Sequence, residues 1–284
     1  MRAGYISLIF ILNITAFSQT FHFSSSFGKF RNASSFYINP AGFIYVTDTG
    51  SDEVYKLDTL GNLKKEIGGY GWDEDSFDDP VDVFATPLNI YVSDKNNHRI
   101  QRFDKDLNFI SLLASIDETP LNGLFGYPLG CVTSTQGDMF ILDSENKRII
   151  KFDLFGNFVQ NFGGYDAGAY MLNSPQKIAI TWSNNIFILD GNNIKIFDPF
   201  GNGLGSVETE IAPKSISIIF SNLTINSEKD ILSADLKNPE LKFSKLILED
   251  YPEKNPDDLE IVSALIFNNK LYILSLKEIL VYTK

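Results

Sequence analysis

The chain has 284 residues, 44% hydrophobic and 21% charged, a globular balance rather than a disordered one. Its 36 acidic and 24 basic side chains give a net charge of -12, which argues against general binding of nucleic-acid backbones, since these need a positive field. One cysteine excludes an internal disulfide, and two histidines exclude a three-histidine metal centre.

The chain opens with Arg2 and the apolar run Tyr5-Ile6-Ser7-Leu8-Ile9-Phe10-Ile11-Leu12, followed by Ala16-Phe17-Ser18. A positive start, a short hydrophobic core and a small-x-small exit are the layout of a secretory signal peptide, so residues 1–18 are expected to be removed after Ser18. No later stretch is apolar for the length a membrane span requires. The remainder, 19–284, is therefore expected to be a single exported domain, periplasmic, envelope-associated or extracellular.

A repeat begins soon after. Phe43-Ile44-Tyr45-Val46-Thr47-Asp48 is followed by Asn89-Ile90-Tyr91-Val92-Ser93-Asp94, then Met139-Phe140-Ile141-Leu142-Asp143, then Ile186-Phe187-Ile188-Leu189-Asp190. The terminal aspartates lie 46, 49 and 47 residues apart. Each strand leads through a polar turn into a second run with apolar residues at every other position, such as Arg99-Ile100-Gln101-Arg102-Phe103-Asp104. A third strand follows a second turn, as in Phe155-Gly156-Asn157-Phe158-Val159. A fourth precedes the aspartate-ended strand and opens on proline at Pro80, Pro128 and Pro175, a residue tolerated where no ladder N–H is needed.

Four antiparallel strands in about 47 residues cannot bury a core alone; set around an axis, such units form a β-propeller. Units start near Ser34, Pro80, Pro128 and Pro175, a degenerate fifth follows Pro213, and a sixth spans Leu259 to Tyr282, after a linker from Tyr251 to Asp258. The sixth has only three strands. The segment from Phe21 to Phe30 has nothing else to pair with, so an N-terminal strand is expected to complete the last blade and remove an exposed edge. The expected fold is all-β, a six-bladed propeller of four-stranded antiparallel blades.

The stretch from Tyr91 to Asp104, with Asp94, Asn97, Arg99 and Ile100, closely resembles the repeat of the NHL family of β-propellers. The stretch from Asp143 to Phe152, with Asn146, Arg148 and Ile149, is the next best match, while the copies at Asp48 and Asp190 lack the arginine. The resemblance covers roughly residues 34–200 well. It implies the architecture more than an activity, because the family includes protein- and RNA-binding modules, extracytoplasmic sensors, and a few lyases and lactonases.

The repeated aspartates read as acceptors of backbone N–H groups in the following turn rather than as a metal ring. Arg99 and Arg148 read as inter-blade packing and hydrogen-bonding residues, His98 as an ordinary turn residue, and Cys131 as a buried inert thiol. Phe77, Phe125 and Leu172, each three residues before a proline, are expected to plug gaps between blades.

The loops joining one blade to the next carry aromatics among glycines and acids, which suits recognition at a channel mouth. Tyr70, Trp72, Asp73, Tyr165 and Asp166 are the candidate ligand-binding residues. The acids Asp73, Glu74, Asp75, Asp78 and Asp79 have the oxygen chemistry calcium prefers, without EF-hand spacing, and read first as a solvated loop. No cofactor is otherwise implied. The expected function is a non-catalytic protein-binding or scaffold module of the cell envelope. The alternative is a lactonase-like hydrolase or lyase with a divalent metal in the channel, for which the innermost strands offer Asp82, Lys177, Lys214 and Glu260 and no histidine, with Asp82 and Glu260 as a conceivable pair.

Overall fold

A computed structural model describes residues 18–115, 121–238, 240–251 and 259–284. The expected export segment lies outside these residues except for Ser18, and so does nearly all of the linker expected between the last two units.

The alternation read from the sequence does produce strands. The first sheet holds β2 (Ala33–Ile38), β3 (Phe43–Asp48), β4 (Glu53–Asp58) and β5 (Leu63–Gly68). The second holds β6 (Pro80–Ala85), β7 (Asn89–Asp94), β8 (Arg99–Asp104) and β9 (Phe109–Ala114). In the third are β10 (Pro128–Thr133), β11 (Met139–Asp143), β12 (Arg148–Phe152) and β13 (Phe158–Phe162). In the fourth are β14 (Pro175–Ile180), β15 (Ile186–Asp190), β16 (Asn193–Phe197) and β17 (Gly203–Glu208). Each is an antiparallel meander in chain order. Burial falls from the first strands to the last: every residue of β15 is buried, whereas β17 alternates with solvent.

The remaining strands form one sheet of eight rather than two separate sheets of four. They are β18 (Ser215–Ile219), β19 (Asn222–Asn226), β20 (Ile231–Asp235), β21 (Ser244–Glu249), β22 (Ser263–Phe267), β23 (Lys270–Leu274) and β24 (Ile279–Thr283), with β1 (Gln19–Phe27) inserted between β21 and β24. The expected count of six separate blades is thereby corrected to four four-stranded sheets and one eight-stranded sheet. The cause is the length of β1. Its second half, His22 to Phe27, pairs antiparallel with Thr283 to Ile279. Its first half runs past that partner and pairs parallel with Leu246 to Glu249 of β21, which leaves no free edge between the two halves.

Apolar layers fill each gap around the ring. Tyr45 and Val54 of the first sheet meet Val83 and Val92 of the second. Ile100, Ile141, Ile149 and Ile186 continue through the second, third and fourth sheets. Phe187 and Leu189 meet Ile216 and Leu223, while Phe36 and Val46 meet Leu265 and Val281. Phe30 and Ala33 donate backbone N–H bonds to the carbonyls of Lys277 and Leu276, tying the first sheet to the last strands.

Candidate functional site

The aspartates that end the second strands are fully or almost fully buried. The expectation that they serve the following turn holds only in part: Gly50 N and Asn146 N there do bond Asp48 and Asp143, but six of the eight backbone N–H groups that the four carboxylates accept belong to the loop entering their own sheet. Asp94 Oδ1 accepts from Asp78 N (2.8 Å), Asp143 from Gly126 N (3.3 Å), and Asp190 from Asn173 N and Ser174 N (2.9 and 2.6 Å). Asp48 accepts from Arg31 N and Asn32 N at 2.5 and 2.8 Å. Each carboxylate thus fastens the loop that joins two sheets.

In the second sheet the same carboxylate orients a cation. Arg99 Nε donates to Asp94 Oδ2 at 2.7 Å, and the rest of its guanidinium donates to the carbonyls of Trp72 (2.7 Å), Asp73 (3.0 Å) and Ser76 (2.9 Å). Asn97 Nδ2 and Gln101 Nε2 add bonds to Gly71 O and Ser76 O. Arg148 repeats the device with Asp143 and Leu124 O. Where arginine is missing from the fourth sheet, Lys195 bridges Asp190 and Met171 O. Phe77, Phe125 and Leu172 are buried between sheets as expected, Phe77 against Phe103 and Phe125 against Phe152.

These anchors hold the candidate residues in two loops on one mouth of the ring. Tyr70 and Trp72 are 74% and 65% exposed, and Tyr165 is 95% exposed, so all three rings face solvent. Asp73 and Asp166 are also exposed, and the Asp73 carbonyl is an Arg99 acceptor. The structure brings Tyr70, Trp72 and Asp73 together between the first and second sheets. Tyr165 and Asp166 sit separately, between the third and fourth. The neighbouring acids are drawn apart, Asp79 to Lys95 (2.8 Å) and Asp78 to Asn96 (2.9 Å). Among the described residues no three acidic, histidine or cysteine groups converge to hold a metal ion. His98 receives Tyr127 N and packs edge-on against that ring. Cys131 is buried in the channel wall, and burial pushes its thiol far above the ordinary range.

The channel itself is polar near this mouth. In each of the first four sheets a bulge interrupts the pairing just after the first residue of the innermost strand, at Ala33/Ser35, Pro80/Asp82, Pro128/Gly130 and Pro175/Lys177. Asp82 Oδ1 accepts from Ser35 Oγ (2.7 Å) and from Lys177 Nζ (2.9 Å), a pair reaching past the third sheet. Gly130 makes room for it: a Cβ there would lie 2.8 Å from Asp82 Oδ2. Across the ring Ser215 and Ser263 are 3.0 Å apart. The conceivable Asp82–Glu260 pair does not form. Glu260 is exposed and Asp82 is bound to Lys177, while Lys214 pairs with Glu228 at the surface.

The opposite mouth was not legible in the sequence. There the turns between first and second strands surround a cavity of about 310 Å³, walled by Tyr37, Phe84, Ile180, Trp182, Ile218 and Phe220. Each of these residues lies at or just beyond the end of an innermost strand, a placement that appears only once the ring is closed.

No known protein-family profile matches the chain. Among characterised proteins it is 29% identical over 143 residues to protein brain tumor of Drosophila melanogaster, and 27% identical over 141 residues to B-box type zinc finger protein ncl-1 of Caenorhabditis elegans. The matched stretches cover 49% and 48% of this chain but only 13% and 16% of those proteins. Among solved structures a streptogramin B lyase superposes with a TM-score of 0.63 at 14% identity, covering 91% of this chain and 96% of its own. A chain of the nidogen/laminin complex gives 0.59 at 15% identity, covering 75% and 80%. At these identities the likeness concerns the fold, and the fold is a β-propeller built of four-stranded antiparallel sheets with repeats. Among the described residues no helix is long and apolar enough to cross a membrane.

Proposed function

We propose that this chain is an exported, non-catalytic propeller of NHL type that binds a protein of the cell envelope through the loops around Trp72 and Tyr165. The observation that carries the reading is the Arg99 cluster, which fixes the backbone of residues 71–76 while leaving Tyr70 and Trp72 exposed. Aromatics displayed on a loop already ordered lose little entropy on binding, and they are the residue types that dominate protein interfaces. The NHL assignment is supported by the Asp–Asn–Arg arrangement at Asp94 and Asp143. Export is supported by the sequence alone, by Arg2, the apolar run from Tyr5 to Leu12 and the small-x-small exit Ala16-Phe17-Ser18.

The catalytic alternative finds less support. Asp82, the one acid among the described residues lining the channel, is already bonded to Ser35 and Lys177. Both histidines lie elsewhere, His22 on β1 and His98 in a turn.

The reading is tested by recovering C-terminally tagged protein from its source cells and identifying both its first residue and the proteins it retains. The expected result is a chain beginning at Gln19 with a defined partner, and at least a tenfold loss of that partner in a Trp72→Ala/Tyr165→Ala variant. Retention that survives this double substitution but fails in Asp82→Asn would overturn it.

A further inference from the structure

We infer that the mouth opposite the recognition loops is a binding site for a small, uncharged aromatic molecule. The inference rests on a different face of the ring and is independent of the proposed protein partner.

The cavity there, about 310 Å³, is at the lower end of the roughly 300–1,000 Å³ range of small-molecule sites. None of the residues that line it is charged, in a chain where 21% of residues are. An ionised ligand would leave water here without a counter-charge, a large cost.

Most of the polar residues around the cavity are already engaged. Thr86 Oγ1 accepts from Asn89 N at 2.9 Å. Ser134 Oγ accepts from Asp138 N, and Thr181 Oγ1 from Asn185 N. The Asn184 amide is shared between Thr135 and Gln136. Recognition is therefore left to the apolar walls. These are aromatic on several sides: Tyr37 and Phe84 stand edge to face, 5.1 Å apart, at the floor, and Trp182 (68% exposed) and Phe220 (44% exposed) stand at the rim. The Tyr37 hydroxyl donates to Ile218 O at 3.4 Å, tying the first sheet to β18 beneath the cavity. Rings that face one another in this way favour a flat aromatic guest, which gains edge and face contacts as well as burial.

The chain has two tryptophans, Trp182 at this cavity and Trp72 on the other face, which makes the site optically addressable. In the full chain carrying Trp72→Phe, titration with the neutral fluorophore N-phenyl-1-naphthylamine is expected to quench Trp182 emission saturably, with one probe per chain. Adding Phe220→Ala is expected to weaken binding about tenfold, as loss of one aromatic wall implies. Trp182→Ala, followed by probe emission, is expected to do the same. Unchanged circular dichroism and melting temperature show that these turn variants remain folded. The sulfonated analogue 8-anilinonaphthalene-1-sulfonate is expected to bind at least tenfold more weakly than the neutral probe. The absence of saturable binding, binding indifferent to both substitutions, or equal affinity for the sulfonate would each overturn the assignment. So would a protein chain cross-linking through position 182 while the probe fails to bind.

Discussion

The guanidinium of Arg99 faces four oxygen acceptors, one a buried carboxylate and three backbone carbonyls of a loop more than twenty residues earlier. Removing it leaves Asp94 buried without its cation and the carbonyls of Trp72 and Asp73 without this donor, while Ser76 O keeps Gln101 Nε2. Breaking one side of such a buried pair costs about 3–5 kcal/mol. Arg99→Ala is expected to lower unfolding stability by about that amount in denaturant titration; a loss under about 1 kcal/mol would mean that the cluster does not hold the loop. The arginine itself was visible in the sequence, because Asp94, Asn97 and Arg99 recur at the same offsets as Asp143, Asn146 and Arg148. Its acceptors were not, since backbone carbonyls leave no signature in residue types. The Asp82–Lys177 pair escaped for a related reason. A bulge shifts the innermost strand by one residue, which decides which side chain faces the channel, and Gly130 gives no hint that it makes room for the Asp82 carboxylate.

At the scale of single elements, the turns between the third and fourth strands repeat as faithfully as the strands. Asp58, Asp104, Asp153 and Asp198 each accept the N–H of the residue two positions on and that of an asparagine four positions on. A residue with positive φ precedes the asparagine: Gly61, Leu107, Gly156 or Gly201. Leucine at 107 adopts the conformation because its side chain is fully buried, so packing offsets the backbone cost. For Asp58, Asp104 and Asp198 burial pulls the carboxyl upward, and the hydrogen bonds, chiefly from Lys64 and Asn62, Asn108 and Asn202, outweigh it; for Asp153 the bonds from Asn157 lead. All four are held below the ordinary carboxylate range. Depressed folded-state values mean a contribution present above the unfolded value of about 3.9 and lost as pH falls through the folded values. Burial pushes Asp52 and Asp94 the other way, so they offset this trend. The melting temperature is expected to fall progressively below about pH 4, and Asp104→Asn/Asp198→Asn to flatten that fall. An acid slope unchanged in the double variant would contradict this origin. The strands that these turns join were legible because burial follows period two. The turn bonds were hidden, although the spacing of Asp58 and Asn62, repeated at Asp153 and Asn157, could have revealed them.

For the whole molecule, the phased aspartates revealed a ring before any coordinate did, since sheets that repeat at constant spacing with one apolar face each have few other ways to cover both sides. Pairing of the N-terminal segment with the last strand was likewise legible, from an incomplete final unit. What residue types did not show was how far β1 overshoots β24. Parallel pairing of Gln19–His22 with β21 depends on where two strand ends fall, and it turns two expected sheets into one of eight strands. The aromatic cavity was illegible for the same reason, because Tyr37, Phe84, Trp182 and Phe220 are scattered over the sequence and meet only around the axis. The closed ring underlies both faces, and amide hydrogen exchange along β1 tests it most directly. Closure predicts that Gln19–Phe27 exchanges as slowly as Ile279–Thr283, through global unfolding alone. Exchange of that strand as fast as the loop at 69–79, with Ile279–Thr283 still protected, would contradict a ring closed by the N-terminal strand.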